Sequence, residues 1–177
     1  NELEFAPERV LNHMMQHMLN NDADIDYIFP LDADEFIYCP SREKLNTFLT
    51  LIPQGRVGMY TWRGYLPHST EYDPDFISHF TDQRKEEILT PKVIIPRAIA
   101  ETCTLTIGSH SVRDKEGKEV QSIVFIGSNN QQFYYWFINR FNAEFIETND
   151  LWLGHYPIRS TIQQIKKVLE KSITMVM

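Results

Sequence analysis

The chain has 177 residues, of which 42% are hydrophobic and 23% charged, and it carries a formal net charge of −7. That composition suits one globular domain with its own core and excludes a long disordered tract. An acidic chain without a Lys/Arg cluster is not built for non-specific nucleic-acid binding, and it has no basic amphipathic face for an anionic membrane.

Two cysteines, Cys39 and Cys103, are too few for a disulfide scaffold. The default expectation is a reduced, cytoplasmic setting, with the inner face of the membrane as a peripheral location. The longest apolar runs, such as Phe133–Ile138, are far too short for a transmembrane span, and no signal-peptide pattern opens the sequence. No internal repeat is evident.

Residues Pro7–Asn20 predict an amphipathic helix, with Val10, Leu11, Met14 and Met18 recurring at helical spacing. A strand is expected over Tyr27–Leu31, running straight into Asp32-Ala33-Asp34-Glu35-Phe36-Ile37-Tyr38; Pro30 within it signals a bulge. Ser41–Leu51 predicts a short helix with Ser41 as N-cap and Leu45, Phe48 and Leu49 facing inward. Arg56–Tyr65 has strand character. Pro67–Glu87 is polar and reads as a loop or flap, a length usually functional or mobile.

From Lys92 the sequence becomes strand-rich. Val93–Ile95 and Leu105–Ile107 are candidate strands, and Asp114–Gly117 reads as a turn between Ser109–Val112 and Val120–Phe125. The segments Phe133–Phe137 and Glu144–Leu153 are ambiguous. Ser160-Thr161-Ile162-Gln163 is a capping box opening a helix with Ile162, Ile165, Leu169 and Ile173 on one face. The order implies a single α/β or α+β domain over residues 1–177.

The most informative residues are Asp32, Asp34 and Glu35. On a continuing strand, Asp32 and Asp34 would point to the same side. Two carboxylates close together favour a cation between them, and hard oxygen ligands suit Mg²⁺ or Mn²⁺. The bland reading is a solvated turn. The apolar flanks Ile28-Phe29 and Phe36-Ile37 weigh against it, because solvated turns favour Gly, Asn or Ser.

A phosphatase of the haloacid-dehalogenase type, with Asp32 as nucleophile, is a rival reading of D-x-D after a strand. Glu35 and Phe36 stand where that motif has other residues. Near the other end, His155 and Arg159 precede the capped helix and Lys166 lies two turns into it, a combination suited to an anion such as a diphosphate.

The segment Ile25–Phe36 resembles the D-x-D-E-F segment of bacterial glycosyltransferases of the family-2-like and family-92-like groups. His155-Tyr156-Pro157-Ile158-Arg159-Ser160 with Lys166 resembles their H-Y-x-x-[RK]-S signature. Arg84, Pro91-Lys92-Val93-Ile94 and Gly108-Ser109-His110 are similar to the intervening segment, in the same order.

The resemblance implies a GT-A fold, a mixed sheet flanked by helices. It implies a nucleotide-sugar donor such as a UDP-sugar, Mn²⁺ or Mg²⁺ as cofactor, and a glycan acceptor, as in polysaccharide biosynthesis. On that pattern Asp34 is the principal metal ligand, and Asp32 contacts metal or ribose. His155, with His110 as second candidate, completes the metal shell, and Arg159 and Lys166 neutralise the diphosphate.

An inverting enzyme also needs a carboxylate base. Glu35, Asp73, Asp75, Glu101 and Asp150 are candidates, with Glu35 and Asp150 put first. The D-x-D lies at residue 32, which leaves no room for the β-α-β unit that binds the base in a GT-A domain. The expectation is therefore an N-terminally truncated domain that folds either with a partner chain or by pairing exposed sheet edges with a second copy, as a homodimer. The alternative function is a non-catalytic remnant that binds sugar or serves assembly.

Other features are weaker. His13 and His17 have i, i+4 spacing without the intervening Glu of a zinc protease and read as surface histidines. Phe133–Phe137, Trp62 and Trp152 suit either sugar stacking or packing. Cys103 has no base beside it in sequence.

Overall fold

The computed structural model of the chain describes residues 7–66, 82–83, 91–127 and 143–156. Helix α1 spans Pro7–Asn21 and opens on a proline, whose missing N–H costs nothing at the first helical position. Its core-facing residues are Leu11, Met15 and Leu19. Val10, Met14 and Met18, three of the four apolar residues that mark the helix in the sequence, are instead exposed at 45%, 54% and 45%.

Polar side chains fix that rotation. Asn12 both donates to the Leu105 carbonyl (2.9 Å) and accepts from its N–H (2.8 Å), and Gln16 donates to the Ala100 carbonyl (2.8 Å). At the helix end the Arg97 guanidinium donates to the carbonyls of Leu19 and Asp22, capping the last turn.

The expected strand Tyr27–Leu31 shortens to β1, Tyr27–Ile28. Pro30 has no N–H to continue the ladder. The next strand, β2, is Glu35–Tyr38 and belongs to a different sheet. Helix α2 covers Arg42–Thr50, with Ser41 as an extended N-cap accepting the Lys44 N–H at 3.2 Å. Phe48 and Leu49 are buried, and Leu45 packs against the same cluster.

The strand character of Arg56–Tyr65 resolves into β3, Val57–Tyr60, and β4, Trp62–Leu66. They divide at Thr61, whose carbonyl accepts the Leu153 N–H at 3.0 Å, and enter different sheets. Strand β5 is Asp82–Gln83, β6 is Lys92–Pro96, and α3, Arg97–Ala100, follows at once.

Thr104–Leu105 (β7) and Val112–Arg113 (β8) pair with each other. The Asp114 carboxylate accepts the N–H groups of Glu116 and Lys118, and Gly117 takes φ 79, which makes the expected turn. Strands β9 (Ser122–Ile126), β10 (Glu144–Glu147) and β11 (Trp152–His155) complete the described elements. The segment Glu144–Leu153 thus holds all of one strand and the start of another.

The first sheet has the order β1-β6-β3-β9-β10; β6 is antiparallel to β1 and β3, whereas β3, β9 and β10 run parallel. Alternation divides its residues between two cores. Val57, Met59, Val93, Ile95, Val124 and Ile126 face α1 and α3. Tyr60, Ile94, Ile123 and Phe125 face α2 and the second sheet.

That second sheet has the order β2-β11-β4-β5, with β11 antiparallel to β2 and parallel to β4. The protein is a mixed α/β domain. No helix among the described residues is long and apolar enough to cross a membrane.

Candidate functional site

The segment 32–35 is a tight turn rather than a strand. The Glu35 N–H donates to the Asp32 carbonyl at 3.0 Å, and the Asp32 N–H donates to Glu35 Oε2 at 2.9 Å. The alternation expected of Asp32 and Asp34 therefore does not apply, and each carboxylate has its own partner. Asp32 Oδ2 lies 2.9 Å from Lys92 Nζ, and Asp34 Oδ2 lies 3.7 Å from His155 Nε2.

The pairing of β2 with β11 causes the second contact, because its register sets His155 opposite Glu35. The Tyr156 N–H then donates to the Asp34 carbonyl at 2.9 Å and holds the turn against β11. Two segments from opposite ends of the described chain are thereby joined. Asp34 and His155 keep side-chain exposures of 19% and 15%, enough to meet a ligand.

Lys92 lies beneath this turn. It opens β6 in phase with Ile94, so its side chain leaves the first sheet on the face that meets the second. Lys92 is 1% exposed, and its ammonium also lies 3.2 Å from Glu35 Oε2. The Glu35 side chain is fully enclosed; burial pushes its carboxyl above the usual range, against the opposing pull of the Asp32 N–H and of Lys92. Removing one member of such a buried pair costs about 3–5 kcal/mol, because the other charge is left uncompensated.

Trp62 joins the cluster. His155 lies across its ring at 4.5 Å between centroids, His110 meets it edge-on at 5.8 Å, and Lys92 Nζ is 5.7 Å from its centroid. Trp62 Nε1, Glu35 Oε1 and the Tyr60 hydroxyl are buried here without a hydrogen-bond partner among the described residues. Burial, then the Glu35 carboxylate, raises the Tyr60 hydroxyl above the ordinary phenol value.

The Pro91 carbonyl, just before β6, orients His110. A carbonyl only accepts, so Nδ1–H donates to Pro91 O at 2.8 Å. Nε2 is then turned toward Gly108, where a β-carbon would come within 2.6 Å; the Gly108 φ of +73 also requires glycine.

Asp32, Asp34, Glu35, His110 and His155 are thus gathered around Lys92 and Trp62. Asp150 is not with them. It precedes β11 at the end away from His155, about 16 Å along an extended chain, in an exposed ion pair with Lys44 at 3.3 Å. Glu101 pairs with Arg97 on α3. Arg159, Lys166, Asp73, Asp75 and the segment Phe133–Phe137 lie outside the described residues. His13 and His17 are exposed on α1.

Trp152 faces the opposite side of the second sheet. Tyr38 of the neighbouring β2 stacks on it at 5.2 Å and Arg63 of β4, the neighbour on the other side, lies 4.0 Å from its centroid. Tyr65 stacks on Tyr156 at 5.0 Å, and the Tyr38 and Tyr156 hydroxyls are hydrogen-bonded. The Trp152 ring thus packs against side chains of this same sheet.

Among the described residues no three His, Cys, Asp or Glu side chains form a group that could hold a metal ion. The Asp34–His155 pair offers one carboxylate oxygen and one imidazole nitrogen, donor types that divalent cations accept. The site residue that the sequence did not single out individually is Lys92, whereas Trp62 was read as suited to either sugar stacking or packing. A lysine opening the apolar run Val93-Ile94-Ile95, in phase with Ile94, was the available signal for Lys92.

Compared with protein-family models, curated proteins and solved structures, the chain matches none.

Proposed function

We propose that this chain is the cation- and diphosphate-handling part of a nucleotide-sugar glycosyltransferase with a GT-A-like fold. The observation that carries the reading is the approach of Asp34 Oδ2 to His155 Nε2, at 3.7 Å. These residues come from the two segments that resemble D-x-D-E-F and H-Y-x-x-[RK]-S, and β-pairing brings them together.

Asp34 and His155 would hold Mn²⁺ or Mg²⁺, which often binds through one or two protein ligands with substrate phosphate oxygens and water completing the shell. The cation would supply charge stabilisation for a departing diphosphate. Asp32 lies at the rim, 62% exposed in its side chain and within reach of a donor. Glu35, enclosed and bonded to Lys92, serves the shape of the turn rather than proton abstraction. Arg159 and Lys166 belong to the proposal through the resemblance alone.

A second reading, a module that binds a nucleotide-sugar without turning it over, is favoured by the engagement of both Asp32 and Glu35 with Lys92. Release of UDP from a panel of UDP-sugars in the presence of Mn²⁺ separates the two. The transferase reading expects release that falls at least about a hundredfold in Asp34→Ala, the scale of losing a catalytic electrostatic contact. Donor binding with no release in the wild type would replace it with the second reading.

A further inference from the structure

We infer that Lys92 is a positioning residue for the Asp34–His155 pair, acting through Asp32 and Glu35; the inference rests on reading that pair as a cation site. The turn is closed by two reciprocal hydrogen bonds, Glu35 N–H to the Asp32 carbonyl and Asp32 N–H to Glu35 Oε2. Asp34 lies inside that closed turn. Lys92 then ties the two flanking side chains together, at 2.9 Å from Asp32 and 3.2 Å from Glu35.

An ammonium has three donors, and two of them point at the carboxylates on either side of Asp34. The same ammonium lies toward Trp62, the ring against which His155 rests. One buried cation rooted in the first sheet therefore faces the supports of both members of the pair, which belong to the second. A simpler role would be to neutralise the buried Glu35 and nothing more. The two roles predict different behaviour once both charges are removed together.

The full chain is compared as wild type, Lys92→Met/Glu35→Gln, Asp32→Asn and Asp34→Ala. Two quantities are read: amide hydrogen exchange at Glu35 and Tyr156, against Val57 and Val124 as core references, and Mn²⁺ affinity. The double variant lacks the buried charges, and Asp32→Asn lies at an exposed position and keeps the Lys92–Glu35 pair.

Positioning predicts exchange at Glu35 and Tyr156 about tenfold faster in the double variant, with core protection retained, and Mn²⁺ binding weakened about tenfold, the scale of one charge-assisted hydrogen bond. Asp32→Asn speeds Glu35 exchange in the same direction. Exchange and Mn²⁺ affinity within twofold of wild type in the double variant overturn the inference, leaving Lys92 as a charge balance. If the double variant does not fold, unchanged Glu35 exchange in Asp32→Asn overturns it. Wild-type Mn²⁺ affinity in Asp34→Ala would instead overturn the cation reading, while the exchange rates still decide whether Lys92 orders the turn.

Discussion

His110 shows how a single side chain here couples structure to pH. Burial lowers its pKa below the ordinary 6.5, and the nearby Lys92 pushes the same way, against the Pro91 carbonyl and Asp32, which favour the charged form. A base whose folded value is depressed contributes stability that is present above the unfolded value and lost as pH falls toward the folded one. The loss therefore begins near pH 6.5. The raised carboxyl of Glu35 has the opposite sign, giving stability below the usual carboxylate value that is lost as pH rises through its folded value.

Replacing His110 by Gln removes the first contribution and keeps the second. The urea midpoint of the wild type should fall more between pH 7.5 and pH 5.5 than that of His110→Gln. Parallel falls in the two proteins would show that His110 does not set this dependence. The roles of Asp32 and Asp34 also divide at this scale. Adjacent in a motif, they meet Lys92 and His155 respectively, and no spacing rule assigns those partners.

Among the elements, α2 was the most legible. Its N-cap, its span and its inward residues follow from a local signal, a serine hydroxyl accepting an orphan N–H at the helix start. Substituting Ser41 by Ala should cost roughly 1 kcal/mol in chemical denaturation; no change in midpoint would mean the cap is replaced by solvent.

Helix α1 was legible in extent but not in rotation. Asn12 and Gln16, which hydrophobic periodicity ignores, bind the backbone of β7 and α3 and turn Val10, Met14 and Met18 outward. The single strand read over Arg56–Tyr65 concealed a change of sheet at Thr61, because period-two patterning records burial and not which partner a strand takes. The turn at 32–35 was missed for a related reason. One of its two hydrogen bonds is accepted by the Glu35 carboxylate, which the sequence offers as a candidate base, and the other joins the Glu35 N–H to the Asp32 carbonyl.

At the scale of the whole molecule, the site exists because two sheets meet. The first sheet contributes Lys92, and the second contributes Glu35, Trp62 and His155, with Asp34 on the turn that enters it. The sequence shows each of these only as a local fragment. The antiparallel register of β2 and β11 makes Asp34 and His155 neighbours, and long-range register is what local patterning leaves undetermined. The mixed α/β class, by contrast, follows from the succession of short apolar strands and amphipathic helices.

The measurement that bears most directly on the proposed cation site is calorimetric titration of Mn²⁺, with and without UDP, into the wild type and Asp34→Ala. Binding that strengthens with UDP and is lost in the variant is the expected result, since Asp34 and the diphosphate would share one ion. Absence of Mn²⁺ binding in the wild type, or equal binding in Asp34→Ala, would contradict it.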